Sequence, residues 1–239
     1  MYKIVVITDI HANLPALEAV LKTIQIEGYD ALIQTGDVIG IGPYPLECLD
    51  LILSTPRTEN IKGNHEVYFV NGVSNSPLGN ISPSEVQHHR WTHACLTKEH
   101  KSMIANWPFL IKHEFEGVRA AFMHSGLGES GHDIQGIPRN ANGVDLDKLY
   151  ASHGADLVFY GHRHEDSDKQ GQARYVNPGS LGCNHVATAR YCTVEFKHGH
   201  YQVDHHLVAY EDAGLLNAFE ERQVPDRNFI YKAFFGGRF

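Results

Sequence analysis

What this chain lacks narrows its function before any motif is considered. No stretch approaches the roughly 20 apolar residues that span a bilayer, so no membrane association is expected. Basic residues are outnumbered, 20 Lys and Arg against 28 Asp and Glu. The resulting formal net charge of −8 argues against broad nucleic-acid or anionic-membrane binding, both of which need a basic face. The four cysteines, Cys48, Cys95, Cys183 and Cys192, show no Cys-x-x-Cys spacing and read as free, buried thiols of a cytoplasmic protein. A strand over residues 3–8 opens the chain, and its apolar run is too short for a signal peptide. No repeat, low-complexity tract or linker divides the sequence, and 239 residues suit one domain, 1–239, with a large core.

Histidine, by contrast, is plentiful, with 17 in the chain. Five of them, His11, His65, His124, His162 and His164, fall in clusters with other metal-capable side chains, and the remaining twelve share no spacing and are expected at the surface. The hydrophobic pattern shows where the clusters sit. A near-continuous apolar run over residues 3–8 and a short one over 31–33 predict buried strands, and a third, brief strand near 58–62 ends at Gly63. Helices with i, i+3, i+4, i+7 spacing separate them over 13–27 and 43–53, the alternation of a parallel sheet with right-handed crossovers. A Gly/Asn/Ser/Pro-rich loop over 71–82 then leads to the capping box Ser82-Pro83-Ser84-Glu85 and two helices, 83–95 and 98–106. The block from 66 to 110 either overhangs the site or only covers the sheet. A hairpin follows (111–115 and 118–123, turning at Glu116-Gly117), then a polar loop over 125–142, a helix over 144–153 and a strand over 157–161. Strands over 173–176, 192–197 and 201–210 have no crossover helices, which predicts a largely antiparallel second half. A helix over 211–222 precedes a tail apolar enough to pack or to mediate self-association.

Each cluster stands at the end of an apolar run: Asp9-Ile10-His11, Gly36-Asp37, Gly63-Asn64-His65-Glu66, His124 and Gly161-His162-Arg163-His164. Such strand ends are where ligands bind in open α/β sheets. In an extended segment, side chains two apart point the same way, which would aim Asp9 with His11, and His162 with His164, into one cleft. With Asp37, Asn64 and His124 they make seven N or O ligands, enough for two ions sharing a carboxylate. Two divalent ions bring four positive charges against two from Asp9 and Asp37, and the excess favours a bridging hydroxide and an anionic substrate. Imidazole-rich sites suit transition metals better than Mg or Ca; manganese heads the candidates, with Fe, Zn, Ni or Co. His65, adjacent to Asn64, points away from that ligand's direction and is left to serve as a proton donor.

This set resembles the calcineurin-like metallophosphoesterase superfamily, whose five motifs match residues 9–11, 36–37, 63–66, 124 and 161–164. Asp9 to Asn13, Gly40-Ile41-Gly42-Pro43 and Asn177-Pro178-Gly179-Ser180 are similar to its small, single-domain prokaryotic phosphodiesterase-like branch. The resemblance implies the metallo-dependent phosphatase fold, an α/β four-layer α/β/β/α sandwich with two mixed β-sheets. It implies one ion on Asp9, His11, Asp37 and His164, another on Asp37, Asn64, His124 and His162, and His65 as the acid that protonates the leaving group. Two positions depart from the pattern. Gly40 and Ile41 stand where related protein phosphatases have Asp and Arg, which argues against a protein phosphatase, and His124-Ser125-Gly126 replaces a usual His-Gly.

The expected activity is hydrolysis of phosphodiester bonds, with monoesters as a further substrate, by metal-bound hydroxide. The expected partner is a small phosphorylated compound, with nucleotides among the candidates. Arg139 and Arg163 are candidates to replace the missing arginine, and Asn13 either contacts phosphate or caps the first helix. The rival readings are a pyrophosphohydrolase acting on dinucleoside polyphosphates and a non-catalytic scaffold of the same fold. Loss of ligands would signal the scaffold, and none is lost.

Overall fold

The computed structural model describes residues 1–73, 81–131 and 134–237, so most of the polar loop expected over 71–82 lies outside the described residues. The first half alternates as the periodicity requires: β1 (Tyr2–Ile7), α1 (Leu14–Glu27), β2 (Ala31–Gln34), α2 (Pro45–Ser54) and β3 (Thr58–Asn60), with β1, β2 and β3 parallel. α1 shows why. Asn13 accepts the Ala16 N–H (3.2 Å) as its cap, and Leu17, Val20 and Ile24 are buried along one stripe. Next come α3 (Asn64–Asn71), α4 (Pro83–Ala94), α5 (Lys98–Ala105), the hairpin of β4 (Leu110–Phe115) and β5 (Val118–Met123), and the small pair β6 (Gly126–Leu127) and β7 (Ile134–Gln135). α6 (Gly143–Tyr150), β8 (Leu157–Phe159), β9 (Ser167–Gln170), β10 (Arg174–Asn177), β11 (Thr188–Lys197), β12 (His200–Ala209), α7 (Ala213–Glu221) and α8 (Arg227–Phe234) complete the chain.

The strands form two five-stranded mixed sheets, β12-β11-β1-β2-β3 and β4-β5-β8-β10-β9. Alternation of side chains along the strands assigns the faces. Ile4 and Val6 of β1 join Phe122, Phe159 and Val176 of the other sheet in one buried cluster, so the sheets pack face to face. Val5 and Ile7 turn the other way, onto Leu17, Val20, Leu49, Leu215 and Ile230 of the helices outside the first sheet. Ala121, Val158 and Tyr175 turn outward onto Leu146 and Tyr150 of α6. Three interlayer cores mean four layers, the α/β/β/α sandwich of the metallo-dependent phosphatase fold.

Four features depart from the sequence reading. α3 forms where no helix was expected, at the start of the 66–110 block, because Val67, Tyr68 and Phe69 are consecutive and all buried, leaving no stripe to detect. α8 forms in the tail, which packs through Ile230 and Phe235 against the first sheet's helices. β10 runs parallel to β8 and not antiparallel, since the chain between them first crosses the sheet edge as β9. His88 and His89, expected at the surface, are buried on α4.

Candidate metal centre

The five sequence clusters meet in space at the carboxyl ends of β1, β2, β5 and β8 and the amino end of α3. The reason differs from the alternation argument. Asp9 (φ 52°), His11 (48°), Asp37 (59°), His162 (70°) and His164 (59°) lie in the left-handed region, not in extended backbone. Each such non-glycine residue costs on the order of 1 kcal/mol and persists only where its surroundings over-determine it. Here they do. The N–H groups of Asp9, His11 and Ala12 donate to the carbonyls of Gly36, Asp37 and Val38 at 2.9–3.0 Å, and Leu181 and Gly182 donate to Thr8 and Asp9 at 3.0 Å. A methyl group at Gly36 would overlap the His124 ring, one at Gly63 the Asp37 carboxylate, and one at Gly161 the Thr8 hydroxyl and Asp9.

The donor atoms sort into two sets. In the first, His11 Nε2 lies 2.8 Å from His164 Nε2, and Asp9 Oδ1 is 3.5 Å from the former and 3.4 Å from the latter. In the second, Asn64 Oδ1 lies 3.1 Å from His124 Nε2 and 3.0 Å from His162 Nδ1. Asp37 Oδ2 stands between them, 3.2 Å from His124 Nε2 and 3.8 Å from His11 Nε2. Ligands about 2.1 Å from one ion are about 3 Å apart at right angles and about 3.4 Å at the tetrahedral angle, so these spacings fit a shared ion. Asp9 Oδ1 is buried with no hydrogen-bond partner, although Asp9 Oδ2 takes Thr8 Oγ1 (2.9 Å) and the His162 N–H (3.0 Å). A carboxylate with one saturated and one bare oxygen is arranged for a cation.

Electrostatics agrees. Burial alone would raise the Asp9 and Asp37 carboxyls, yet the surrounding imidazoles hold both well below the usual range. Burial lowers the His124 imidazole, but the Asp37 charge and hydrogen bond outweigh it and push it up to about 9. This pocket favours positive charge. His124 Nδ1 faces the Thr35 carbonyl at 3.0 Å, the contact that turns Nε2 toward the centre.

The sequence profile of the calcineurin-like phosphoesterase superfamily domain matches residues 2–199. The chain belongs to that superfamily. Its members are in general metal-dependent hydrolases of phosphoesters. A relative, the uncharacterized protein MJ0912 of Methanocaldococcus jannaschii, is 26% identical over 244 residues, covering 93% of this chain and 94% of its own. Among solved structures, the hypothetical protein PH1004 of Pyrococcus horikoshii shares 18% identity at a TM-score of 0.80, with both chains covered in full. A metallophosphoesterase of Sphaerobacter thermophilus shares 24% at 0.73, with 96% of each chain covered. These two structures bear on the fold alone.

The loops of the centre are held by a buried carboxylate. Glu66, which received no role of its own from the motif, is fully buried. Its Oε2 accepts the N–H groups of Gly63 and Asp37 (both 2.8 Å), and Oε1 those of Val38 (2.9 Å) and Ile39 (3.2 Å). Burial, then the Asp37 charge, raises its pKa to about 7. Its position three residues after Gly63, at the third residue of a helix, is the available sequence signal. His65 stands beside Asp37 and His11: its N–H donates to Asp37 Oδ1 (2.9 Å), and its ring meets those of His11 (5.0 Å), His89 (5.1 Å) and Tyr68 (5.8 Å). It lies in the first turn of α3 and not in extended backbone, so helical geometry, not alternation, turns it toward the cleft. Gly40 leaves the space that its ring fills, since a methyl group there would overlap His65 Nδ1. Burial lowers the His65 pKa well below its ordinary value, with Asp37 pulling the other way.

Five further positions complete the surroundings of the site. Asn13 is buried and committed: Nδ2 donates to the Gly182 carbonyl (2.7 Å) and Tyr210 hydroxyl (2.9 Å), and Oδ1 caps α1, so the structure gives it the capping role and not the phosphate contact. Arg139 and Arg163 line a cleft with His162 and His164. Cys183, buried and free, brings its sulfur within 4.8 Å of ligand atoms of His11 and His164, a proximity no local motif signals. Ser125, the extra residue of the fourth motif, donates to the Gln135 carbonyl and pins β7.

Proposed function

We propose that this protein is a binuclear-metal phosphodiesterase that uses His65 to protonate the leaving oxygen. The observation that carries the reading is Asp37 Oδ2, which stands 3.2 Å from His124 Nε2 and 3.8 Å from His11 Nε2 and so belongs to both ligand sets. Two divalent transition-metal ions held by these sets would supply Lewis-acid charge to the phosphoryl oxygens and acidify a water. The remaining chemistry belongs to the chain. Asp9 and Asp37 contribute two negative charges, and His11, Asn64, His124, His162 and His164 are neutral ligands, so the loaded centre stays net positive and attracts an anionic phosphate. His65, fixed by its backbone bond to Asp37 and by its ring neighbours, faces the same cleft and gives a proton to the departing alkoxide, a contribution of about 10²–10⁴-fold. Its depressed basicity makes the proton easy to surrender, and an arriving phosphate anion supplies the charge that loads it.

Preference for a diester follows from Ile41. That buried side chain and its backbone, which donates to His88 Nε2 at 2.9 Å, occupy the place where related phosphatases carry an arginine. A dianionic monoester gains most from such a cation, and a monoanionic diester needs it less. The test is hydrolysis of bis-p-nitrophenyl phosphate and p-nitrophenyl phosphate with Mn, Ni, Zn, Co and Mg, alongside the metal content of wild type and Asp37→Ala. The diester should be cleaved faster, with two ions in wild type and at most one in the variant. A monoester preference across all five metals, or two ions retained by Asp37→Ala, would overturn the reading.

A further inference from the structure

Two clefts flank the candidate metal centre, and their walls differ in chemistry. One, of about 560 Å³, opens between α4 and α8; Ile41, Ile230 and Phe234 give it an apolar wall, His65 and His89 border it, and its charged lining is acidic, Glu85 and Asp226. The other, of about 780 Å³, contains His162 and His164 together with Arg139, Arg163 and Arg190. Phe234 borders both, its ring centroid 5.6 Å from that of His164. A phosphate held on the ligand cluster therefore has one substituent directed to each side. The acid His65 belongs to the apolar side, and the second cleft is cationic. Arg190 is drawn to Asp166 (3.6 Å), but no carboxylate among the described residues pairs with Arg139 or Arg163. Arg139 is exposed and Arg163 half-buried, and the acid in the same wall is Glu165. Two uncommitted guanidiniums beside a phosphate site match a carboxylate or phosphate in geometry and charge.

We infer that the substrate is an unsymmetrical phosphodiester, with an apolar or aromatic leaving alcohol seated between α4 and α8, and a retained arm carrying an anionic group held by Arg139 and Arg163. The inference rests on the phosphodiesterase reading and specifies its substrate class. In the step it describes, the phosphorus–oxygen bond to the apolar arm breaks and one to a water oxygen forms. His65 gives its proton to the leaving oxygen and regains one from that water. The products are the alcohol and a phosphomonoester bearing the anionic arm.

Three p-nitrophenyl diesters test it with one leaving group and three retained arms: 2-carboxyethyl, ethyl and choline. With metal-loaded wild type, KM should be roughly tenfold lower for the carboxyethyl ester than for the ethyl ester and highest for the choline ester, with the difference in KM and not in kcat. In Arg139→Ala/Arg163→Ala the carboxyethyl and ethyl KM values should converge. Calorimetry supplies a readout independent of turnover: 3-phosphonopropionate should bind wild type about tenfold tighter than ethylphosphonate, and the double variant should bind both alike. Equal KM values in wild type, or a choline ester preferred over the carboxyethyl ester, would overturn the anionic arm while leaving the phosphodiesterase reading intact. Failure to cleave any of the three esters would overturn that reading, and this inference with it.

Discussion

The strand-end loops that converge on Asp37 and the helices that roof them are built by opposite means. The loops hold their ligands through backbone. Asp9, His11, Asp37, His162 and His164 sit in left-handed conformations; backbone hydrogen bonds tie Asp9, His11, Asp37 and His164 to other loops, and the His162 N–H donates to the Asp9 carboxylate. The roof, α4 with α8, holds its groups through side chains: His88, His89 and Phe234 meet one another, Tyr68 of α3 or the site by ring contacts and single hydrogen bonds. Backbone-fixed geometry tolerates little variation in residue type, so it yields short motifs. Ring packing can be met by many residues, and so it can set which substrate fits without leaving a motif. On this comparison, damage to the loops should abolish chemistry, whereas damage to the roof should change selectivity, positioning or pH response.

The largest expected effect probes where the two regions meet, at His65. His65→Ala should slow hydrolysis of alkyl or ribosyl diesters by about 10²–10⁴-fold and that of the p-nitrophenyl diester far less, because p-nitrophenolate needs little protonation. Metal content should stay at the wild-type level. Gly40→Ala should resemble it, since the added methyl group overlaps the His65 ring at a backbone φ of 87° that disfavours alanine. A uniform loss across leaving groups, or loss of metal, would make His65 a structural part of the loops and erase the distinction.

How much of this was legible follows the same division. Asp9, His11, Asn64, His162 and His164 drew notice because each lies within a few residues of a strand end and of another metal-capable side chain, and Asp37 and His124 because each stands alone at a strand end between those pairs. That β1 is covered on both faces was visible in its continuous apolar run, whose Val5 and Val6 serve opposite cores, whereas the four-layer order came from the resemblance. The directions of the ligands were not legible, since left-handed φ values at Asp9 and His11 do not follow from composition. His88 and His89 were missed for a different reason. The buried face of α4 is His88, His89 and Thr92, a helical i, i+1, i+4 stripe made of polar residues, and hydrophobic periodicity cannot register it. α8 escaped because its buried contribution is little more than Ile230.

Glu66 offers the next largest effect. Its two oxygens receive four N–H groups, so Glu66→Gln turns one acceptor into a donor that faces donors. The expected cost is about 3 kcal/mol, a drop in Tm of roughly 6–12 °C for a chain of this size. Because Asp37 is positioned by the same loop, metal affinity should fall about 10–100-fold. Differential scanning calorimetry and metal titration measure both. A variant with unchanged Tm and metal affinity would show that the loop holds its left-handed turns without the carboxylate.

The smallest effect belongs to the roof and shows itself only against pH. His88 Nε2 receives the Ile41 N–H at 2.9 Å, so its proton resides on Nδ1, which donates to the Pro225 carbonyl at 3.2 Å. Burial lowers its pKa most and the Pro225 bond opposes it, leaving the group at about 4. In the unfolded chain it titrates near 6.5. Between 6.5 and 4 the unfolded state therefore binds more proton than the folded state, and stability falls as pH falls through that window. Above it His88 adds no pH dependence, and below it the loss is complete, on the order of 3 kcal/mol. His88→Gln cannot titrate. It should be less stable than wild type at pH 7.5, through a weakened link between α4, Ile41 and Pro225, and that deficit should shrink by up to about 3 kcal/mol as unfolding is measured toward pH 4. A deficit that stays constant from pH 7.5 to 4 would mean that His88 titrates as it does in water, and that the roof is open to solvent where the structure closes it.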